Sequence, residues 1–228
     1  ALAAFAYWVF GLIDEPPGKP GAKESLGHMI GRIPTLLREN SSYRRYLRVR
    51  SFILIALLAD PFYAIYAQRR LNAPEGELGT FIIVMTLASI AANFALRRPA
   101  NKGRNVLILQ IGVSCLVLAS LLAFFAPTWQ WIMAVLIASA VGQAAVNIAV
   151  WNLLYTVSPE AERPLYIGVT NTLMALPSFA PIVAGVIVTL FGYRATFVLA
   201  LFCGILALAF SFRFADLKAL DVRLAGND

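Results

Sequence analysis

Six apolar stretches, at about 51–70, 78–96, 106–126, 129–157, 165–190 and 195–214, each meet or nearly meet the length needed to cross a bilayer. A span takes about 20 apolar residues, rising 1.5 Å each, to cross a hydrocarbon core about 30 Å thick. No water is available there to satisfy backbone N–H and C=O groups, so such stretches have to be helices packed against one another. The expected fold class is therefore all-α, a polytopic transmembrane helix bundle. Composition agrees: 60% of residues are hydrophobic and 14% charged, against about 25% charged in an ordinary soluble domain. One water-facing globule is excluded.

The same reading removes several chemistries. Cys115 and Cys203 both fall inside apolar stretches, where they read as small apolar filler rather than a disulfide framework or a zinc site. His28 is the only histidine, and one imidazole cannot build a histidine-cluster metal site. There is no H-E-x-x-H, no G-x-S-x-G and no paired intramembrane aspartate, so nothing points to an enzyme or to a cofactor. No Walker A motif is present either, which argues that this polypeptide carries no ATP engine of its own.

Lysine and arginine set the orientation. The segment 14–50 carries Lys19, Lys23, Arg32, Arg38, Arg44, Arg45, Arg48 and Arg50, the loop at 97–105 carries Arg97, Arg98, Lys102 and Arg104, and Arg163 lies near 158–164. Arg213, Lys218 and Arg223 close the chain. All of these loops lie on one side, leaving only Arg69, Arg70 and Arg194 on the other. The rich side is expected to be cytoplasmic, with the tail 215–228 inside the cell, in a plasma membrane of the bacterial inner-membrane type. The net charge of +7 is thus explained by topology, without a nucleic-acid partner.

Before the first full span, ALAAFAYWVFGLI at 1–13 is too short to cross and lacks a basic leader, so it is expected to be the end of a helix that starts upstream. DEPPGKPGAKES then reads as a flexible linker. In IPTLLRENSSYRRYLRVR, the residues Leu36, Leu37, Tyr43, Tyr46 and Leu47 alternate with arginines. Two readings stand: a basic amphipathic helix lying on an anionic leaflet, or a loop helix whose arginines merely hold it inside. The domain expectation is 1–13 helix remnant, 14–50 cytoplasmic linker, 51–214 six-helix domain and 215–228 tail.

Polar residues inside the spans are the functional candidates. Asp60 lies about halfway along 51–70, where a carboxylate costs several kcal/mol unless paired, hydrated or protonated. Pro61 removes a helix hydrogen bond beside it, and Tyr63 lies one turn on, able to share its face. The functional reading is a substrate or proton site in which the acid loads and releases a proton. The structural reading is a hydrogen-bonded acid between helices. In 129–157, Gln143, Asn147, Trp151 and Tyr155 recur every four residues and form one polar-aromatic face. Such a face suits sugars, aromatic drugs or small organic ions; it also suits interhelical amide bonds and interfacial anchoring. Asn152 points elsewhere, Trp129 and Trp131 read as belt residues, and Asn93 and Gln110 as hydrogen bonders near helix ends. Pro177 and Pro181 follow Asn171 in 165–190 and suit a helix that flexes or is fixed in a kink. Gly168 and Gly185 are expected to allow close helix approach.

The layout of a helix end, a long basic loop and six spans ending inside resembles the C-terminal half of a major facilitator superfamily transporter. RRPANKGRN at 97–105 sits where that family often carries G-x-L-A-D-R-x-G-R: Ala100 matches and Lys102 replaces the arginine conservatively. Arg97 and Arg104 stand for glycines and Asn101 for the aspartate, so the acidic partner of that loop is missing. SPEAERPLYIGVTNTLMALPSFAPIVAGVIVTLFGYRATF at 158–197 resembles the family's eleventh and twelfth helices, and RVRSFILIALLADPFYAIYAQ resembles entry into its seventh. The resemblance implies two six-helix halves, a small-molecule substrate bound between them near the midplane, and alternating access by rocking. It also implies that the other half is supplied by the same polypeptide, that 51–70 and 129–157 line the path, and that the loop with Arg97, Asn101 and Lys102 takes part in conformational change; Pro61, Pro177 and Pro181 are candidates for the same role because they interrupt their helices. The competing reading, left open by the altered loop motif, is a membrane sensor or scaffold that keeps the fold without transporting.

Overall fold

The structure is a computed structural model and describes residues 26–214. The helix remnant at 1–13, the linker up to residue 25 with Lys19 and Lys23, and the tail 215–228 with Lys218 and Arg223 lie outside the described residues, as does the side chain of His28. Among the described residues every regular element is helical: α1 (Leu26–Glu39), α2 (Ser41–Ala56), α3 (Asp60–Leu71), α4 (Glu77–Asn101), α5 (Asn105–Phe125), α6 (Trp131–Val157), α7 (Arg163–Ala175), α8 (Ala180–Phe191) and α9 (Tyr193–Ser211), with three short 3-10 turns. Six helical units are long and apolar enough to cross a membrane: Ser41–Leu71, Glu77–Asn101, Asn105–Phe125, Trp131–Val157, Glu160–Phe191 and Tyr193–Ser211.

The first and fifth of these are each two helices joined by a single 3-10 turn. Leu57–Ala59 separates α2 from α3, and Pro61 stands in the first turn of α3. Proline has no N–H to give and crowds the carbonyl four residues back, so regular α geometry fails just before it. The same cause splits the fifth unit, where Pro177 opens the turn Pro177–Phe179 and Pro181 enters the first turn of α8.

The first unit begins at Ser41, whereas the apolar stretch begins at 51. Asn40 caps it by accepting from the Tyr43 amide at 2.8 Å. Tyr43, Tyr46, Leu47 and Val49 are all buried in the bundle rather than laid against a leaflet, while Arg44 and Arg48 between them are exposed. Tyr43 Oη lies 2.8 Å from Thr170 Oγ1. Tyr46 Oη donates to the Val150 carbonyl at 3.1 Å. Asn40 Nδ2 donates to the Val157 carbonyl at 3.0 Å, and Arg32 pairs with Glu162 at 2.8 Å. The basic segment is therefore tied to α6, to α7 and to the turn between them.

α6 is the centre of the bundle, packed on α5 and α4, while α9 packs on α5 and α2. The α5–α6 crossing is close because Gly112 and Gly142 meet there. A Cβ on Gly112 would lie 2.9 Å from the Val146 amide nitrogen, and one on Gly142 would lie 3.0 Å from the Gly112 carbonyl oxygen. Gly185, expected to serve the same purpose, has nothing within 4 Å of the place a Cβ would take. Cys115 and Cys203 are free thiols within the bundle.

Two apolar core layers result. One gathers Tyr43, Val106, Leu153 and Val169 towards the arginine-rich end. The other gathers Leu58, Tyr63, Ile132 and Phe197 towards the opposite end. The second and fifth units are the least covered: Ile82, Leu87 and Phe94 on α4 and Ile182, Leu190 and Phe191 on α8 are exposed.

Candidate functional site

Asp60 sits where the two core layers meet, because the break at Leu57–Ala59 makes it the first residue of α3. That places a carboxylate at a helix N-terminus, a favourable position for negative charge. Two side chains of α6 receive it. Ser139 Oγ donates to Asp60 Oδ1, and Gln143 Nε2 donates to Asp60 Oδ2 at 2.9 Å. Gln143 Nε2 also lies 3.3 Å from Ser139 Oγ, closing a three-membered polar cluster. Ser139 is fully buried and Asp60 half-buried. Among the described residues no lysine or arginine pairs with Asp60. The acid is thus held by neutral donors only, which leaves its protonation free of any fixed counter-charge.

Gln143 has a second exposure. With Asn147 of α6 and Thr86, Ser89 and Asn93 of α4 it lines an open cavity of about 400 Å³. Thr86 and Asn93 turn donors back onto the Ile82 and Ser89 carbonyls of their own helix, both at 2.8 Å. The cavity therefore presents amides and hydroxyls among methyl-bearing side chains such as Met85 and Ile90, with Asp60 one residue behind its wall. Its size falls within the range of about 300–1,000 Å³ typical of small-molecule sites.

The four-residue stripe on α6 is one outward-facing strip, as its spacing predicts, but its halves differ. Gln143 and Asn147 face the cavity. Trp151 carries the Arg50 guanidinium 5.3 Å from its ring centroid, and Tyr155 carries that of Arg163 at 5.9 Å. Arg50 also donates to Tyr46 Oη at 2.7 Å, so the lower half is a cationic-aromatic rim. Asn152 points away and donates to Asn105 Oδ1 at 2.8 Å.

Tyr63, one turn after Asp60 on α3, is buried: its Oη lies 3.1 Å from Ser120 Oγ on α5, and its ring packs on Phe197 at 5.4 Å. Gln110 finds no bond for its buried Nε2 among the described residues. Arg97 and Asn101 line a second cavity of about 370 Å³ with Asn93 and Ile148, and Lys102 caps the end of α4, exposed. Ser139, Thr86, Ser89 and Arg50 were not anticipated as site residues. Ser139 lies four residues before Gln143 and so extends the same stripe by one turn, the signal that would have found it. Arg50 entered the sequence reading only as topological charge.

The bundle and its half-buried acid define a class: polytopic helical membrane proteins that carry a polar site within their spans. The family follows from comparison with known families. The Major Facilitator Superfamily model matches residues 50–225, and this chain belongs to that superfamily of membrane transporters. No curated protein and no solved structure matches the chain. Members of the superfamily are transporters rather than enzymes, they sit in a lipid bilayer, and they bind small-molecule substrates.

Proposed function

We propose that the protein moves a small organic solute by alternating access, coupled to protons, and that the six described spans form one wall of the path. The observation that carries this reading is the double engagement of Gln143, which holds the Asp60 carboxylate on one side and lines the amide-rich cavity on the other. Substrate contact at Gln143 and Asn147 would then bias the hydrogen bonds of Asp60, and protonation of Asp60 would bias the cavity. Such mutual bias is the thermodynamic content of coupling. A second six-helix wall from the same polypeptide would close the cavity's open side, with the two halves rocking about the site.

In this account Ser139 is a positioning residue for Asp60, while Trp151 and Tyr155 form the rim on the arginine-rich side. Pro61 and the turn at Pro177–Phe179 are where the first and fifth units bend. Arg97 and Asn101 in the last turns of α4, with Lys102 at its cap, belong to a helix end that changes neighbours as the path opens. The arginine-rich end faces the cytoplasm by the positive-inside rule, in a membrane of bacterial inner-membrane type.

The test is a thermal-shift screen of the purified protein against sugars, aromatic amines and quaternary ammonium ions, followed by counterflow in proteoliposomes. A bound solute at a hundredfold excess over Kd adds about 2.7 kcal/mol of stability. Gln143→Ala and Asn147→Ala are expected to weaken that solute about tenfold or more, as loss of a buried amide contact does. A transported solute indifferent to both substitutions would refute the site. Binding without counterflow would favour the sensor or scaffold reading, to which Asn101 in place of the loop aspartate points.

A further inference from the structure

At the arginine-rich end, away from the transport site, the bundle holds another cavity, of about 320 Å³. Arg45 and Arg48 of α2, with Phe210 of α9 and Arg213 just beyond it, line this space. The Arg48 guanidinium carbon stands 5.8 Å from the Phe210 ring centroid, and Phe210 stacks on Phe52 of α2 at 5.6 Å. The aromatic pair fixes the floor and holds one guanidinium in place. Among the described residues neither Arg48 nor Arg213 has a carboxylate within ion-pair distance. Cations brought to one space repel each other, and an anion between them reverses the sign of that interaction. Guanidinium groups present planar forks of N–H donors that match the oxygens of a phosphate.

The surroundings say which phosphate. The cavity opens between the first and last spans at the end of the apolar region. Phe202 and Leu206 continue along α9 on the same four-residue row as Phe210, and Phe202 is 58% exposed, so an apolar track runs from the cavity into the membrane. We propose that this cavity binds the phosphate of an anionic phospholipid from the adjoining leaflet, with its acyl chains lying along α9. The arginines of α2 thus meet the leaflet through a built cavity rather than through the face of a surface helix. Basic pockets between transmembrane helices are known to hold anionic headgroups in this manner.

The test is native mass spectrometry of the full chain in detergent, titrated with phosphatidylglycerol or phosphatidylcholine, with inorganic phosphate as competitor. The wild type is expected to take up one phosphatidylglycerol well before any phosphatidylcholine, and millimolar inorganic phosphate is expected not to displace it. The double variant Arg48→Gln/Arg213→Gln should bind phosphatidylglycerol about 25-fold more weakly, from about fivefold per arginine. Arg38→Gln/Arg98→Gln, which removes the same charge from exposed positions elsewhere on that end, should bind as the wild type does. Equal weakening in both double variants would overturn the proposal, because the attraction would then be diffuse. Displacement by inorganic phosphate would overturn the lipid assignment in favour of a soluble phosphate. If Arg48→Gln/Arg213→Gln fails to fold, the wild type decides: equal uptake of the two lipids overturns the proposal, and preference for phosphatidylglycerol with resistance to phosphate supports it.

Discussion

Gly112→Ala tests the crossing that places α6, and with it Ser139 and Gln143, against Asp60. The added Cβ would stand 2.9 Å from Ala145 Cβ, 2.9 Å from the Val146 nitrogen and 3.0 Å from the Gly142 oxygen. Ordinary carbon contacts begin at about 3.5 Å, so the shortfall is about half an ångström on three sides. Two of the three atoms are backbone and cannot rotate aside, so α5 and α6 must separate. Overpacking of this kind costs about 1–3 kcal/mol, of which alanine's better helix propensity returns up to about 1 kcal/mol. For a chain of this size the expected fall in melting temperature is on the order of 5 °C, read by thermal unfolding in detergent. Gly79→Ala is the matched control: nothing lies within 4 Å of its new Cβ, so its melting temperature should hold or rise. Equal, small effects at the two glycines would refute the close crossing and the placement of α6 that rests on it.

Further outcomes follow from the same packing. Asn40→Ala removes the cap of α2 and the amide bonds to Val157 and Tyr166. It should destabilise the protein by about 1–2 kcal/mol, seen as a lower melting temperature with unchanged helical content at low temperature. Ser139→Ala removes one of two donors to Asp60, so it should slow proton-driven uptake while leaving substrate counterflow nearly intact. Gln143→Ala should slow both, because Gln143 also lines the cavity; an identical effect of Ser139→Ala and Gln143→Ala on the two assays would contradict the division of roles.

Much of the fold was legible because the bilayer imposes a length that no soluble domain needs. The polar members of the site, Asp60, Gln143 and Asn147, stood out for the same reason: each is expensive in hydrocarbon and so calls for a partner or a function. Which partner was not legible, since Asp60 and Gln143 are 83 residues apart and their meeting depends on how α6 sits on its neighbours. The partners of Tyr63 were not legible either, since Ser120 and Phe197 come from distant parts of the chain. The early start of the first span was hidden by Arg44, Arg45, Arg48 and Arg50, whose charges break the apolar run. Their long stems let the charge reach outward while Tyr43, Tyr46 and Leu47 face the core. Ser139 escaped notice because a single serine in a transmembrane helix can satisfy itself on its own backbone.

The central claim is that Asp60 couples proton movement to solute movement through Gln143. Its most direct measurement compares Asp60→Asn with the wild type in proteoliposomes, scoring uptake driven by an imposed pH gradient beside counterflow without one. The account predicts that concentrative uptake is lost in Asp60→Asn while counterflow persists. Concentrative uptake at the wild-type level in that variant would contradict it.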